Sequence, residues 1–202
     1  MTVWRGAQPL ILASQSAVRR TLLVNAGIAV ETVPADLAER TLQRESGLTD
    51  PADIAALLAG EKARAVSLRH PGRMVIGADQ TLALGDTLFS KPRDRAAAAA
   101  QIARLAGRTH ALHSAVSVMT DGAPQFAHVG VARMTMRALT DAQIEAYLDA
   151  AGANVTTSVG AYQLESTGVH LFERIEGDHF TILGLPLLPL LGFLRSRELL
   201  TI

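Results

Sequence analysis

Three short apolar runs, each handing over to a capped helix or a polar loop, decide most of what this 202-residue chain can fold into. Leu10-Ile11-Leu12-Ala13, Ile28 to Val33 and Met74-Val75-Ile76-Gly77-Ala78 are too short for helices and read as strands, the first and third as buried ones. Between the first two, Ser16 is placed to cap a helix that runs to about Ala26 and is closed by Gly27. Before the third, a polar segment from Pro34 to Thr49 leads to Asp50-Pro51, an N-cap followed by proline at the first helical position. In the long helix that follows, Ile54, Leu57, Leu58, Glu61, Ala65 and Leu68 are expected on one side, with Lys62 at the edge of the stripe. Further on, Asp94 caps an alanine-rich helix that stops at Gly107. Two strands, about Thr109 to Thr120 and Gln125 to Arg137, are joined by the turn Asp121-Gly122. A helix over Asp141 to Ala150, a loop-rich stretch from Gly152 to Gly168 and a last helix over Leu185 to Arg197 complete the chain. Strands alternating with helices, then interrupted by a hairpin, predict an α/β fold with a mixed central sheet flanked by helices. Neither a repeat nor a linker divides it, so residues 1–202 are expected to form one domain.

Composition removes several functions. Lys+Arg 19 against Asp+Glu 19 leaves no net charge, so nothing in the whole-molecule field argues for wrapping nucleic acid. With no cysteine there is no disulfide, no thiol nucleophile and no thiolate metal site, which fits a reducing compartment. Met1 to Pro9 lacks the long apolar run of a signal peptide. The most apolar stretch, Thr181 to Leu194, is short for a bilayer and broken by Pro186 and Pro189; it reads as a buried strand-and-helix segment. A soluble cytoplasmic protein without a membrane partner is the expectation. There is no Walker loop, no Gly-x-Ser-x-Gly and no His-Glu-x-x-His, and His110 with His113 alone does not make a zinc site.

What chemistry there is gathers around a few polar residues. The helix start after Ser16 carries Arg19 and Arg20 and no acid, although helix N-termini favour acids. Strand, Ser14-Gln15-Ser16, helix start and arginines together suit an anion such as phosphate; the alternative is that the arginines face solvent. Asp79 follows five small or apolar residues and is expected where a buried strand emerges at its carboxyl end, the place where open α/β sheets bind ligands. A carboxylate there could hold Mg²⁺ or take a proton from water, or simply start a turn. Lys62 and Lys91 could reach inward, though each alone is more often a solvated side chain.

In order and spacing these residues resemble the Maf-type nucleoside triphosphate pyrophosphatases along nearly the whole chain. The resemblance is carried by Leu12-Ala13-Ser14-Gln15-Ser16 with Arg19 and Leu22-Leu23, by Glu61-Lys62-Ala63, and by Ile76-Gly77-Ala78-Asp79. Lys91-Pro92, Gly107-Arg108-Thr109-His110, Gly160-Ala161-Tyr162 and Ile175-Glu176-Gly177-Asp178 leading to Gly184-Leu185-Pro186 extend it. It implies an elongated α/β fold of two lobes with the substrate in the cleft between them, as in the Maf/ITPase-like proteins. It also implies metal-dependent hydrolysis of a nucleoside triphosphate to monophosphate and pyrophosphate, with Mg²⁺ or Mn²⁺ as the divalent cation.

On matching positions, Ser14, Ser16 and Arg19 would hold phosphate, and Lys62 and Lys91 would neutralise the polyphosphate. Asp79 would be the catalytic carboxylate and, with Glu39, a metal ligand; Asp36 is a nearby substitute for Glu39. Ser16-Ala17-Val18-Arg19 stands where the family has Ser-Pro-Arg-Arg, so one of its arginines is missing. Gln80 stands where many members have Thr, and Glu165 where they have Gln; both changes resemble the subgroup that prefers 7-methyl-GTP to dTTP and UTP. A carboxylate can accept the adjacent N–H donors of guanine and favours the positive charge of an N7-methylated base. Housecleaning of modified nucleotides is therefore the leading reading. A dTTP/UTP or broad-specificity pyrophosphatase is the second, and a nucleotide-binding regulator of septum formation the third. Family resemblance and the apolar C-terminal segment make a homodimer a reasonable expectation.

Overall fold

The computed structural model describes residues 3–202, so the first two residues of the Met1–Pro9 segment lie outside the described residues. The strands are β1 (Leu10–Leu12), β2 (Val30–Thr32), β3 (Val75–Leu84), β4 (Thr87–Phe89), β5 (Thr109–Thr120), β6 (Ala123–Met136) and β7 (Phe172–Glu176). The helices are α1 (Ala17–Asn25), α2 (Glu39–Ser46), α3 (Pro51–Ser67), α4 (Arg95–Leu105), α5 (Asp141–Ala151), α6 (His179–Ile182) and α7 (Leu187–Ser196). The sheet runs β2-β1-β3-β5-β6-β7, with β4 paired to β3. It is mixed: β1 is parallel to β2 and β3, while β3–β4 and β6–β7 are antiparallel. The chain forms two compact units, each discontinuous in sequence. One comprises the residues up to Gln80, Ser114–Gly130 and His179–Ile202; the other comprises Thr81–His113 and Val131–Asp178.

In the first unit the two-residue period of the strands sorts side chains onto opposite faces. Leu10 and Leu12 of β1 join Ile76 and Ala78 of β3 in one apolar cluster with Leu23, Leu190 and Leu194 from α1 and α7. Ile11, Ala13 and Val75 turn the other way, toward Ala63 and Val66 of α3. Asp79 shares the parity of Val75 and Gly77, so its carboxylate faces α3. Gly77 is what lets that helix come close: a Cβ there would lie 2.0 Å from the Ala59 carbonyl oxygen and 2.6 Å from the Ala63 nitrogen.

In the second unit α4 packs with α5. Ala98 and Ile102 from α4 and Ile144 and Leu148 from α5 are buried there. Asp94 caps α4 through the Ala97 amide, and Thr140 and Gln143 form a reciprocal capping box at the start of α5.

Four expectations change. Strand β3 does not end at Asp79 but continues to Leu84 and turns into β4, so Asp79 is a mid-strand residue. The buried face of α3 is Ile54, Ala55, Leu58, Ala59, Lys62, Ala63 and Val66, whereas Leu68 is exposed. Lys62 therefore lies within that face rather than at its edge, because small alanines set the closest approach to β3. The polar stretch 34–49 contains α2, which has no buried residue, and β7 lies on a mostly exposed segment that carries no apolar alternation. Thr181 to Leu194 holds no strand; it is the end of α6 followed by α7, with Pro186 at the N-cap and Pro189 in the first turn, where proline removes no helical bond. Among the described residues no helix is long and apolar enough to cross a membrane.

Candidate active site

Helix α1 starts as the sequence predicts. Ser16 caps it by accepting the Arg19 amide at 3.3 Å, and the Ser16 amide donates to Ser14 Oγ at 3.2 Å, so the two serines form a small hydrogen-bonded turn at the end of β1. Of the two arginines, Arg20 faces solvent and Arg19 turns inward. Arg19 Nε donates to the Gly184 carbonyl at 2.7 Å, and Nη1 donates to the Ala78 carbonyl at 2.9 Å and to Ser14 Oγ at 3.2 Å. A guanidinium fixed by two backbone carbonyls has lost most of its rotamer freedom before any ligand arrives, which lowers the cost of binding an anion.

Beside it lies a lysine between two carboxylates. Lys62 Nζ is 2.6 Å from Asp79 Oδ1 and 2.9 Å from Glu39 Oε1. The Lys62 and Asp79 side chains each keep only 11% of their surface, whereas Glu39 at the head of α2 keeps 46%. Burial raises the Asp79 carboxyl above its ordinary value, and the positive charges of Lys62 and Arg19 pull it back. Arg19 is pushed down by burial, against the attraction of Asp79 and Glu39. The outcome is a carboxylate more basic than its partners alone would leave it, yet close to two cations. Such a group can orient and deprotonate water. Of the two acidic candidates after β2, Glu39 is the one that meets Lys62; Asp36 lies on the exposed loop before α2 with φ +52°.

Gln80 points to the sheet's other face. Its Nε2 donates to Ser114 Oγ at 2.9 Å, to the Ile182 carbonyl at 3.0 Å and to the Thr181 carbonyl at 3.2 Å. Its amide nitrogen is thus engaged with protein. Ser114 donates in turn to the Thr181 carbonyl at 2.7 Å. Sequence reasoning did not single out Ser114, and nothing in its local pattern marks it; the contact depends on bringing β3, β5 and α6 together.

Lys91 and Glu165 belong to the second unit, and both are exposed. Within that unit, Gly160-Ala161-Tyr162 has a packing explanation. Gly160 adopts φ +78°, and a Cβ there would lie 2.5 Å from Leu82 Cδ1. Tyr147 donates its hydroxyl to the Ala161 carbonyl at 2.9 Å, while the Tyr162 hydroxyl meets His110 Nε2 at 2.7 Å. These bonds fix the segment immediately before Gln163 and Glu165.

Among the described residues no group of three or more His, Cys, Asp and Glu side chains could hold a metal ion. Two carboxylates directed at one ammonium nevertheless fit a hard cation of the Mg²⁺ kind, which takes one or two protein carboxylates and completes its shell with water and phosphate oxygens.

The sequence profile of the family described as Maf-like protein matches residues 9–197. A protein of Rhodopseudomonas palustris named nucleoside triphosphate pyrophosphatase is 65% identical over all 202 residues of both chains. One of Mesorhizobium japonicum, named 7-methyl-GTP pyrophosphatase, is 51% identical over 94% of this chain and 96% of its own. Among solved structures, a HAM1 protein from Coxiella burnetii aligns with a TM-score of 0.44 at 15% identity, covering 64% of this chain and 73% of that one.

Proposed function

Because the chain belongs to the Maf-like protein family, we propose that it hydrolyses nucleoside triphosphates to monophosphate and pyrophosphate, with 7-methyl-GTP the first substrate to test. The observation that carries the reading is the buried Lys62–Asp79 pair with Glu39 and Arg19 beside it. Water attacks the α-phosphorus: a new P–O bond forms, the bond to the bridging α–β oxygen breaks, and pyrophosphate leaves with the electron pair. Asp79 orients that water and receives its proton. Arg19, Ser14 and Ser16 hold phosphate oxygens. Lys62, drawn from its two carboxylates, and Lys91 offset the charge that accumulates on the leaving group, the kind of stabilisation that supplies most of a phosphoryl-transfer rate gain. Asp79 and Glu39 are the residues that would hold a divalent cation, Mg²⁺ or Mn²⁺, and that cation would add Lewis-acid neutralisation of the phosphates.

The preference for a methylated guanine rests on Glu165. Its carboxylate can accept the N1 and exocyclic N–H donors together, and it repels the acceptor edge of thymine or uracil. The 51% identical relative carries the name of that activity, while relatives at 61–65% identity carry only the general one, which keeps a broad or pyrimidine-directed enzyme as the second reading. Purified protein with Mg²⁺ and a panel of canonical and modified triphosphates separates the two. Pyrophosphate released chiefly from 7-methyl-GTP supports the first, release from dTTP and UTP the second, and tight binding without product overturns hydrolysis altogether. In the first case Glu165→Gln should lower the ratio of methylated-guanine to pyrimidine turnover; an unchanged ratio removes Glu165 from base selection.

A further inference from the structure

The tripeptide Ala78-Asp79-Gln80 is tied on both sides of its carboxylate to one short turn. On one side the Ala78 carbonyl accepts Arg19 Nη1, and Arg19 Nε donates to the Gly184 carbonyl. On the other side Gln80 Nε2 donates to the Thr181 and Ile182 carbonyls. The turn closes the ring, since the Gly184 amide donates to the Thr181 carbonyl at 3.0 Å and the Leu185 amide to the Phe180 carbonyl at 3.1 Å. The Thr181 oxygen is its hub, accepting from Gln80, Ser114 and Gly184 at once. Gly184 sits at φ +91°, a conformation that favours glycine, and this geometry directs its carbonyl at Arg19.

We infer that Gln80 is a positioning residue for Arg19: by holding the 181–184 turn it fixes the carbonyl that aims the guanidinium at the phosphate site. An amide is suited to the task, since its two N–H groups serve three oxygens, two of them backbone carbonyls spaced one residue apart. A hydroxyl could donate only one bond. Nε and Nη1 are committed to protein and hold the guanidinium from two sides, while Nη2 makes no hydrogen bond among the described residues and is the donor left for an anion. The amide nitrogen is already engaged with protein, so a change at position 80 reaches Arg19 through the turn. The step from Arg19 to phosphate rests on the function proposed above; the hold of Gln80 on Arg19 does not.

The test needs no nucleotide. In ¹⁵N-labelled protein the Arg19 Nε–H signal, assigned by its loss in Arg19→Lys, should exchange slowly with solvent. Gln80→Met keeps the side-chain length and removes the donors; it should speed that exchange at least tenfold while the core amides of Leu12 and Ile76 keep their rates. Ser114→Ala, which removes a bond to the same carbonyl, should act in the same direction more weakly and serves if Gln80→Met does not fold. Selective loss of Arg19 protection supports the inference; an unchanged Arg19 rate, or one that rises only together with the core amides, overturns it. Binding of inorganic tripolyphosphate separates the two layers. If Gln80→Met frees Arg19 yet leaves tripolyphosphate affinity unchanged, Arg19 still depends on Gln80 but does not hold phosphate.

Discussion

In the first unit a lysine and an aspartate are buried with their charges; in the second a histidine and two tyrosines are buried without any. Asp79 is raised by burial and by Glu39 and lowered by Lys62 and Arg19, so competing fields meet at its carboxyl. Among the described residues no charged group acts on His110 to hold a proton. Burial lowers its pKa to about 4, raises Tyr147 to about 12 and raises Tyr162 further. Its Nε2 is matched to the Tyr162 hydroxyl, and its Nδ1 has no hydrogen-bond partner among the described residues. The ring also lies in an aromatic cluster with Tyr162 and Phe172. A polar group buried for chemistry is surrounded by opposed charges, whereas one buried for shape is kept neutral and packed.

The contrast can be broken at its tightest point. Gly77→Ala places a methyl group against the backbone of α3, 2.0 Å from a carbonyl oxygen, so helix and strand must separate. Stability should fall by about 3 kcal/mol or more, the upper end for overpacking, and turnover should fall with it, because Lys62 is carried on that helix. Urea unfolding midpoints and initial rates check both.

A smaller effect sharpens the second cluster. An unfolded histidine takes up its proton near pH 6.5, but folded His110 resists until about pH 4. Between those values the unfolded chain binds more protons, so this contribution is complete above pH 6.5 and is lost as pH falls toward 4, by up to about 3 kcal/mol. Asp79, whose carboxyl is raised, has the opposite slope and is more stabilising as pH falls. Unfolding midpoints at pH 6.5 and 4.5 should therefore converge in His110→Leu relative to the wild type. The lost Tyr162 contact shifts both pH values alike, so the difference reports the histidine alone.

The smallest effect belongs to the surface of the second unit. Arg95 pairs with Glu145 and Asp149 between α4 and α5, but all three side chains are largely exposed. Arg95→Ala should leave the midpoint unchanged within error, since exposed ion pairs contribute little.

The same contrast explains what the sequence disclosed. Ser16, Asp50, Asp94 and Thr140 cap helices through local hydrogen bonds. The first three are legible because a cap depends on neighbours a few residues away. The site residues Asp79, Lys62 and Arg19 stand out as charges amid apolar neighbours. Their meeting was less legible, because it depends on Gly77 and the alanines of α3, which look unremarkable until strand and helix are in contact. The continuation of β3 past Asp79 was hidden by the polar pair Asp79-Gln80, whose two side chains alternate between the sheet's faces. Helix α2 left no apolar stripe to read; only Glu39 in its first turn, Arg44 in its last and Gly47 at its C-cap mark it. The role of Gln80 depends on Ser114 and the 181–184 turn, far away in sequence.

The proposed hydrolysis turns on one carboxylate. Asp79→Asn keeps the size of the side chain and removes its basicity, and pyrophosphate release under saturating nucleotide and Mg²⁺ measures what remains. With folding intact by circular dichroism, the rate should drop by roughly a hundredfold or more, the scale of general-base catalysis; turnover within a few-fold of the wild type would contradict the mechanism.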